Sequence, residues 1–419
     1  MPQRVWPREK QTLMSTSKKA LMHAHTAYMV TQFNIDNIKI LQDLGYTVDV
    51  ACCWKDEDSA LSPEAMKERR KKLDDLGCRV IEQASMRKIF NIGELRKAYL
   101  ELKKEVEANQ YQIVHTQSPI GGVICRLACR RARKMYGTKV VYAAHGFHFF
   151  KGAPFKNWLV FYNVEKYCSK FTDLLITINK EDYDNARKFH AKQVAYIPGA
   201  GVDTHKFVAS EDGRARVRKE LGIDDDTIVL LSVGELIHRK NHGEVLRALK
   251  IMKDNGTLLT PDSDERVQPK YKIKYLIAGR GKIQKELEES IKHLGLQDYV
   301  QLLGFRRDVA DVFAASDIYV FPSHQEGLPV ALMEAMSVGM PVVCSKIRGN
   351  IDLIQDGEGG YLFDSKDAKT LVAALNKALV DNEDKRQQMG AVNVETMKEF
   401  DKEKVNEIMR GIYDSLTHI

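Results

Sequence analysis

Two glutamates eight residues apart, Glu326 and Glu334, lie in the stretch YVFPSHQEGLPVALMEAMSVGMPVV, residues 319–343. The approach to them, Asp317 to Phe321, is short, apolar and rich in β-formers, which predicts a buried strand. Pro322 and Ser323 stop it. Pro329 suits a first helical position, because its missing N–H costs nothing there and its φ is preset. VALMEAM carries the helix on until Gly339 and Pro341 end it. Glu326 is then on a loop at the carboxyl end of a strand, and Glu334 is inside the helix. The free N–H groups at the helix start make an anion site beside Glu326. A carboxylate for hydroxyls, an amide nest for phosphate and a second carboxylate one turn deeper suit a sugar nucleotide. On spacing alone, solvated glutamates on an ordinary strand–loop–helix fit equally well.

Two further stretches could supply chemistry. TIVLLSV, residues 227–233, reads as a buried strand and runs into GELIHRKNH. Gly234 after a strand, with Arg239 and Lys240 following, suits a phosphate loop: close backbone approach plus cations. His145 directly follows the predicted strand Lys139–Ala144, at the strand end where α/β proteins place ligand contacts. A lone histidine there is more often structural.

The elements that must position these residues follow a βα alternation. Ala20–Val30 reads as a first strand running into a loop, Phe33–Leu44 as a helix and Tyr46–Cys53 as a second strand, a βαβ opening that implies a right-handed parallel sheet. Residues 61–75 and 94–107 predict charged helices. Ile113–His115, Leu174–Ile178 and Val194–Ile197 predict strands; SPIGGVICRLACRRARKMYG, residues 118–137, begins with a Gly-Gly turn and continues as a basic helix, and 181–189 predicts another helix. Residues 254–270 read as a surface loop. Lys274–Ala278, Val300–Leu303 and PVVCS (residues 341–345) predict strands. Ala310–Ser316, Lys366–Val380 and Lys402–Leu416 predict helices, and KIRGNIDLI a loop into a helix. Residues 151–171 mix Trp158, Phe161 and Tyr162 with four lysines. Together with the basic helix around Arg126–Lys134 they could meet an anionic lipid surface; a helix packed within its own domain reads the same.

Composition narrows the class. A chain of 419 residues, 44% hydrophobic and 29% charged, is long enough for two domains with their own cores. Seven cysteines lack metal-ligand spacing and suit buried thiols in a reducing cytoplasm. No metal and no cofactor is expected. No apolar run is long enough to span a membrane, and the amino end lacks the apolar stretch of a secretory signal. A net charge of +7 permits an anionic partner but does not point to nucleic acid.

E-G-L-P-V-A-L-M-E resembles the Glu-x7-Glu motif of retaining glycosyltransferases of the GT4 type, and matching stretches cover nearly the whole chain. The resemblance implies the GT-B fold: α/β, two Rossmann-like domains with parallel sheets facing across a cleft. Residues 1–19 would be an extension, 20–207 the acceptor domain, 208–400 the nucleotide-sugar domain and 401–419 a helix returning to the first domain. Glu334 would grip the ribose and Glu326 the donor sugar. Lys240 matches the family's lysine, five residues past position 235, and, with Arg239 and the amides around Gly327 and Leu328, would offset charge on a leaving diphosphate. The turn Gly304-Phe305-Arg306 would lie by the nucleobase. AHGFHFFKGAPFKNW resembles an acceptor-domain motif of a subgroup that builds bacterial exopolysaccharides; it gives His145, with His148 as second choice, the place facing the reacting sugar.

The implied activity is retaining transfer from a UDP-sugar to a saccharide acceptor linked to lipid diphosphate, by a cytoplasmic enzyme peripheral to the membrane. A sugar-nucleotide epimerase and a non-catalytic binding subunit of the same fold are the alternatives. Two positions depart from the family: Thr26-Ala27-Tyr28 stands where a Gly-Gly pair is common, and Glu235 where an arginine usually contacts phosphate.

Overall fold

A computed structural model describes residues 18–54, 63–86, 91–258 and 271–417. The first domain is built on seven strands: β1 (Lys18–Thr26), β2 (Tyr46–Cys53), β3 (Arg79–Glu82), β4 (Ile113–Gln117), β5 (Lys139–Ala144), β6 (Leu174–Thr177) and β7 (Gln193–Tyr196). They pair in the order β3-β2-β1-β4-β5-β6-β7, every neighbour parallel. The second domain holds β8 (Ile228–Val233), β9 (Ile273–Ala278), β10 (Val300–Gly304), β11 (Ile318–Phe321), β12 (Val342–Ser345) and β13 (Gly360–Phe363), in the order β10-β9-β8-β11-β12-β13 and again parallel. Both sheets are doubly wound α/β layers, as the GT-B expectation requires.

Helices cover both faces of each sheet, so the central strands are buried throughout and read as continuous apolar runs. Strand order reverses between β1 and β4 in one sheet and between β8 and β11 in the other. Parallel sheets open a crevice at such a switch point, beyond the carboxyl ends of the strands. The loops after β8 and β11 carry Gly234 and Glu326, and the loop after β5 carries His145.

One apolar cluster runs from the first sheet through Ile178, Ile197 and Leu328 into the second. The last helix, Lys402–Thr417, lies on the first domain's helix Ile35–Asp43, with Lys402 paired to Asp36 at 2.8 Å and Arg410 to Asp43 at 2.6 Å. Its buried stripe is Val405, Met409, Tyr413 and Leu416, and the Tyr413 hydroxyl meets His115 Nδ1 under β4.

Several readings need correction. The chain after β1 is not a loop: Thr26 caps a helix over Ala27–Phe33 by accepting from Met29 N. β1 starts at Lys18, inside the stretch read as an extension. Pro329 does not open its helix but precedes it with extended ψ of 112°, and the helix runs Val330–Ser337. Most of the loop read at 254–270 lies outside the described residues. Trp158, Phe161 and Tyr162 do not face outward. A π-helical turn over Trp158–Tyr162 shifts the helical register, and Trp158 and Tyr162 pack on Phe149 at ring separations of 5.5 and 5.3 Å. Arg126 is no part of a basic surface; it is fully buried, 2.8 Å from Glu165 and stacked on Tyr142.

Candidate active site

The loop from β8 is pressed against the one from β9. A Cβ at Gly279 would overlap the carbonyl oxygen of Gly234, so only glycine admits this approach. Lys240 folds back over Gly234 and ends 2.9 Å from Glu326 Oε1; Arg239 reaches the same oxygen at 2.9 Å and donates to the Gln325 carbonyl. Two cations therefore converge on one carboxylate, next to the free amides that open the helix Val330–Ser337. The Glu326 and Lys240 side chains are about a tenth exposed (10% and 14%), whereas Arg239 is 43% exposed.

Glu334 lies on that helix, and burial raises its carboxyl to about 7, with Lys206 pulling weakly the other way. A buried carboxylate held near its titration point gains most from hydroxyl donors, which favour its charged form.

His145 comes from the opposite domain. Its Nε2 is 2.7 Å from Gln117 Oε1, its ring lies 5.6 Å from Phe33, and burial lowers its pKa to about 4, so the imidazole is neutral at pH 7. A small cleft beside it is lined by Phe33, Asn37, Gln117, Ile197 and Gly199. Its carbonyl oxygen is in backbone contact with Gly327: a Cβ on Gly327 would overlap it. The loop that carries Glu326 and the turn that carries His145, 181 residues apart by numbering, thus touch between the domains. His148 turns away and stacks on Phe161 at 4.9 Å.

The turn after β10 divides. Gly304 adopts φ +66° and its carbonyl accepts from Gly279 N, while Phe305 is 61% exposed with the Arg280 guanidinium 6.0 Å from its ring centre. Arg306 is not available to a base: its guanidinium forks onto Glu220 and Asp308. Leu328 is buried against Gly199. Glu235 is exposed, and its charge is felt across the cleft by the Tyr28 phenol. The two departures from the family pattern therefore face each other from opposite domains.

Sequence reasoning passed over Arg348, within KIRGNIDLI. It is 6% exposed and donates to Glu326 O, Phe147 O and Asp182 Oδ1. The only signal in the sequence is an arginine before a glycine shortly after a strand. Among the described residues no group of three or more His, Cys, Asp or Glu is placed to hold a metal ion, and no helix is long and apolar enough to cross a membrane.

Comparison with known proteins identifies the family. The profile "Glycosyl transferases group 1" matches residues 213–393, and "Glycosyl transferase 4-like" matches 18–179. The chain is 33% identical over 320 residues to the putative glycosyltransferase EpsD of Bacillus subtilis, covering 76% of this chain and 80% of that one. It is 31% identical over 283 residues to an Escherichia coli protein named UDP-Gal:alpha-D-GlcNAc-diphosphoundecaprenol alpha-1,3-galactosyltransferase, covering 67% and 69%. Among solved structures, Anabaena HepE with UDP and glucose superposes with a TM-score of 0.72 at 20% identity, over 96% of this chain and all of that one. With its two parallel sheets and a matching profile over each, the chain belongs to the GT4-like, group 1 glycosyltransferases of GT-B fold.

Proposed function

We propose that this glycosyltransferase moves a hexosyl group from a UDP-sugar, with retained configuration, onto a saccharide carried by a lipid diphosphate. The observation that carries the reading is the convergence of Lys240 and Arg239 on Glu326 opposite His145. In the reaction the bond from the anomeric carbon to the diphosphate oxygen breaks. An acceptor hydroxyl oxygen bonds to the same carbon on the same face, and its proton passes to the departing phosphate oxygen. Lys240, Arg239 and the amides around Gly327–Ala331 meet the charge that grows on the diphosphate, where fixed dipoles act most strongly. No metal is assigned to the step. Glu326 holds the donor sugar's hydroxyls and Glu334 the ribose. A neutral His145 adds no charge against the positive sugar carbon. Phe305 offers its face to the base.

A lipid-borne acceptor brings the enzyme to a membrane. The helical segment 155–168 exposes Phe155, Leu159, Val160, Val164 and Tyr167, the first of these 80% exposed. Lys156 lies within the segment and is exposed, Lys170 lies over the Tyr167 ring and Arg130 on the Phe171 ring. Exposed apolar side chains with cations beside them fit the cytoplasmic face of an anionic bilayer, which draws basic residues by its surface potential. The test of function is to offer labelled UDP-sugars with a lipid-linked saccharide extract and identify the product. Transfer to lipid with the donor's anomeric configuration supports the reading. Donor conversion that needs no acceptor overturns it.

A further inference from the structure

We propose that Arg348 is a positioning residue that locks the Glu326 loop of one domain onto the His145 turn of the other, so that the two sugar-facing groups are set by a single guanidinium. The proposal rests on the catalytic reading above and adds a part that reading does not contain. Arg348 belongs to the second domain, in the turn after β12. Its Nε donates to the Glu326 carbonyl at 3.2 Å, within its own domain. Its NH1 crosses to the first domain and donates to the Phe147 carbonyl at 3.1 Å and to Asp182 Oδ1 at 2.6 Å. Asp182 is itself fully buried and tied to the same turn: its Oδ2 accepts from Phe147 N at 3.0 Å and from Asn179 Nδ2 at 2.8 Å. Phe150 covers the guanidinium at 4.8 Å.

The surrounding backbone is shaped for this contact. Gly146 has φ +122°, and a Cβ there would meet Arg348 NH2 and Gly327 Cα, both at 3.2 Å. Gly349 has φ +83°, and a Cβ there would overlap the Gly327 carbonyl oxygen. Glycines at 146, 327 and 349 thus let three backbone pieces from two domains touch, and Arg348 fills the space between them. A second bond runs alongside, from Lys180 N to Asp352 Oδ2 at 3.0 Å, at the start of the helix that carries Asp182.

A buried ion pair stabilises little by itself, because desolvation offsets the attraction, but removing one partner strands the other charge. Such a pair is suited to fixing register between two bodies. Arginine suits the place because its planar fork serves several acceptors at set angles, which an ammonium group cannot.

Hydrogen exchange with UDP as the probe separates this role from a structural one. In the native enzyme, UDP should slow exchange at 326–331 and also, through Arg348, at 145–150. Arg348→Ala should bind UDP with unchanged affinity, keep the first protection and lose the second. It should lower kcat by about 100-fold, the scale of a 1 Å misplacement of reacting groups. Arg348→Lys, which keeps the charge beside Asp182, should fold even if the alanine variant does not and fall between the two in kcat. Asp182→Asn should copy the kinetic defect, and the double variant should be no worse than the worse single one. Protection at 145–150 that survives in Arg348→Ala, kcat that stays native in Arg348→Lys, or defects that add in the double variant each overturn the lock. A native enzyme that fails to bind UDP would instead refute the catalytic reading.

Discussion

At the scale of single residues, the site divides labour by burial. Lys240 and Arg239 touch the same oxygen of Glu326 at equal distance, but Lys240 is mostly enclosed and Arg239 is 43% exposed. A cation shielded from water acts more strongly on charge that develops in the transition state. Lys240→Ala should therefore cost on the order of 3 kcal/mol in kcat, as for loss of a single oxyanion donor. Arg239→Ala should cost less. Initial rates at saturating acceptor decide it, and an active Lys240→Ala with a dead Arg239→Ala would reverse the assignment.

Glu334 gives the pH dependence. Its folded pKa is raised to about 7 from 4.5 by burial. Ribose hydroxyls stabilise the carboxylate, so UDP binding expels a proton below pH 7 and affinity should fall by up to about tenfold per pH unit there. Calorimetric titrations between pH 5.5 and 8.5 test this, and a flat profile would remove Glu334 from the ribose. The raised pKa also means that the ionised group weakens the fold, an effect fully present above pH 7 and fading as pH falls towards 4.5. Glu334→Gln should melt above the native protein at pH 8, with the gap narrowing at pH 5. His145, lowered to about 4, does not titrate in this window.

At the scale of elements, legibility follows from which interactions are local. Strands of a sheet buried on both faces announce themselves as apolar runs, which is why LLIT and IYVF were readable. The edge strand Arg79–Glu82, half-exposed, and the polar helices Glu211–Leu221 and Glu383–Met397 carry no such signal and were not read. Glu326 and Glu334 share one loop and one helix, so their relation is written along the chain. Arg348 and Asp182 are 166 residues apart and no local pattern joins them. Residues 151–171 left two readings open, a lipid-facing surface and a packed helix, because composition does not say which aromatics turn inward; the π-helical turn packs Trp158 and Tyr162 on Phe149 and leaves Phe155, Leu159 and Val160 exposed. This packing sets the test. Phe155→Ser with Leu159→Ser should abolish binding to anionic vesicles and leave Tm unchanged. Trp158→Ala should lower Tm, because its ring packs on Phe149 and Tyr162. Vesicle sedimentation at low and high salt distinguishes them, since attraction between exposed charges is screened beyond about 8 Å at physiological ionic strength.

At the scale of the whole molecule, the chain crosses between domains twice, near 202 and near 400, and the two crossings are tied together. Val202 N donates to Phe400 O, Lys402 N donates to Val202 O, and Thr204 Oγ1 donates to Asp401 Oδ2 at 2.6 Å. Beyond that knot the last helix is part of the first domain's core: Val405, Met409, Tyr413 and Leu416 are each at most 4% exposed. Tyr413 is the point where the end of the chain reaches β4, with its ring fully buried and its hydroxyl on His115. Removing that ring leaves a cavity and strips His115 of a partner, a loss of about 3–5 kcal/mol for a large buried side chain. The loss should fall on the first domain, because the hydroxyl and ring of Tyr413 meet His115 of β4 and the last helix lies on Ile35–Asp43. Calorimetry on Tyr413→Ala should accordingly show the first domain melting earlier and separating from a second transition that stays in place. Tyr413→Phe, which keeps the ring and removes only the hydroxyl, should cost about 1–3 kcal/mol for the polar group left unsatisfied. If both transitions moved together in Tyr413→Ala, the helix would belong to the interface rather than to the first domain. Native melting for both variants would show that the last helix is not needed to hold that domain.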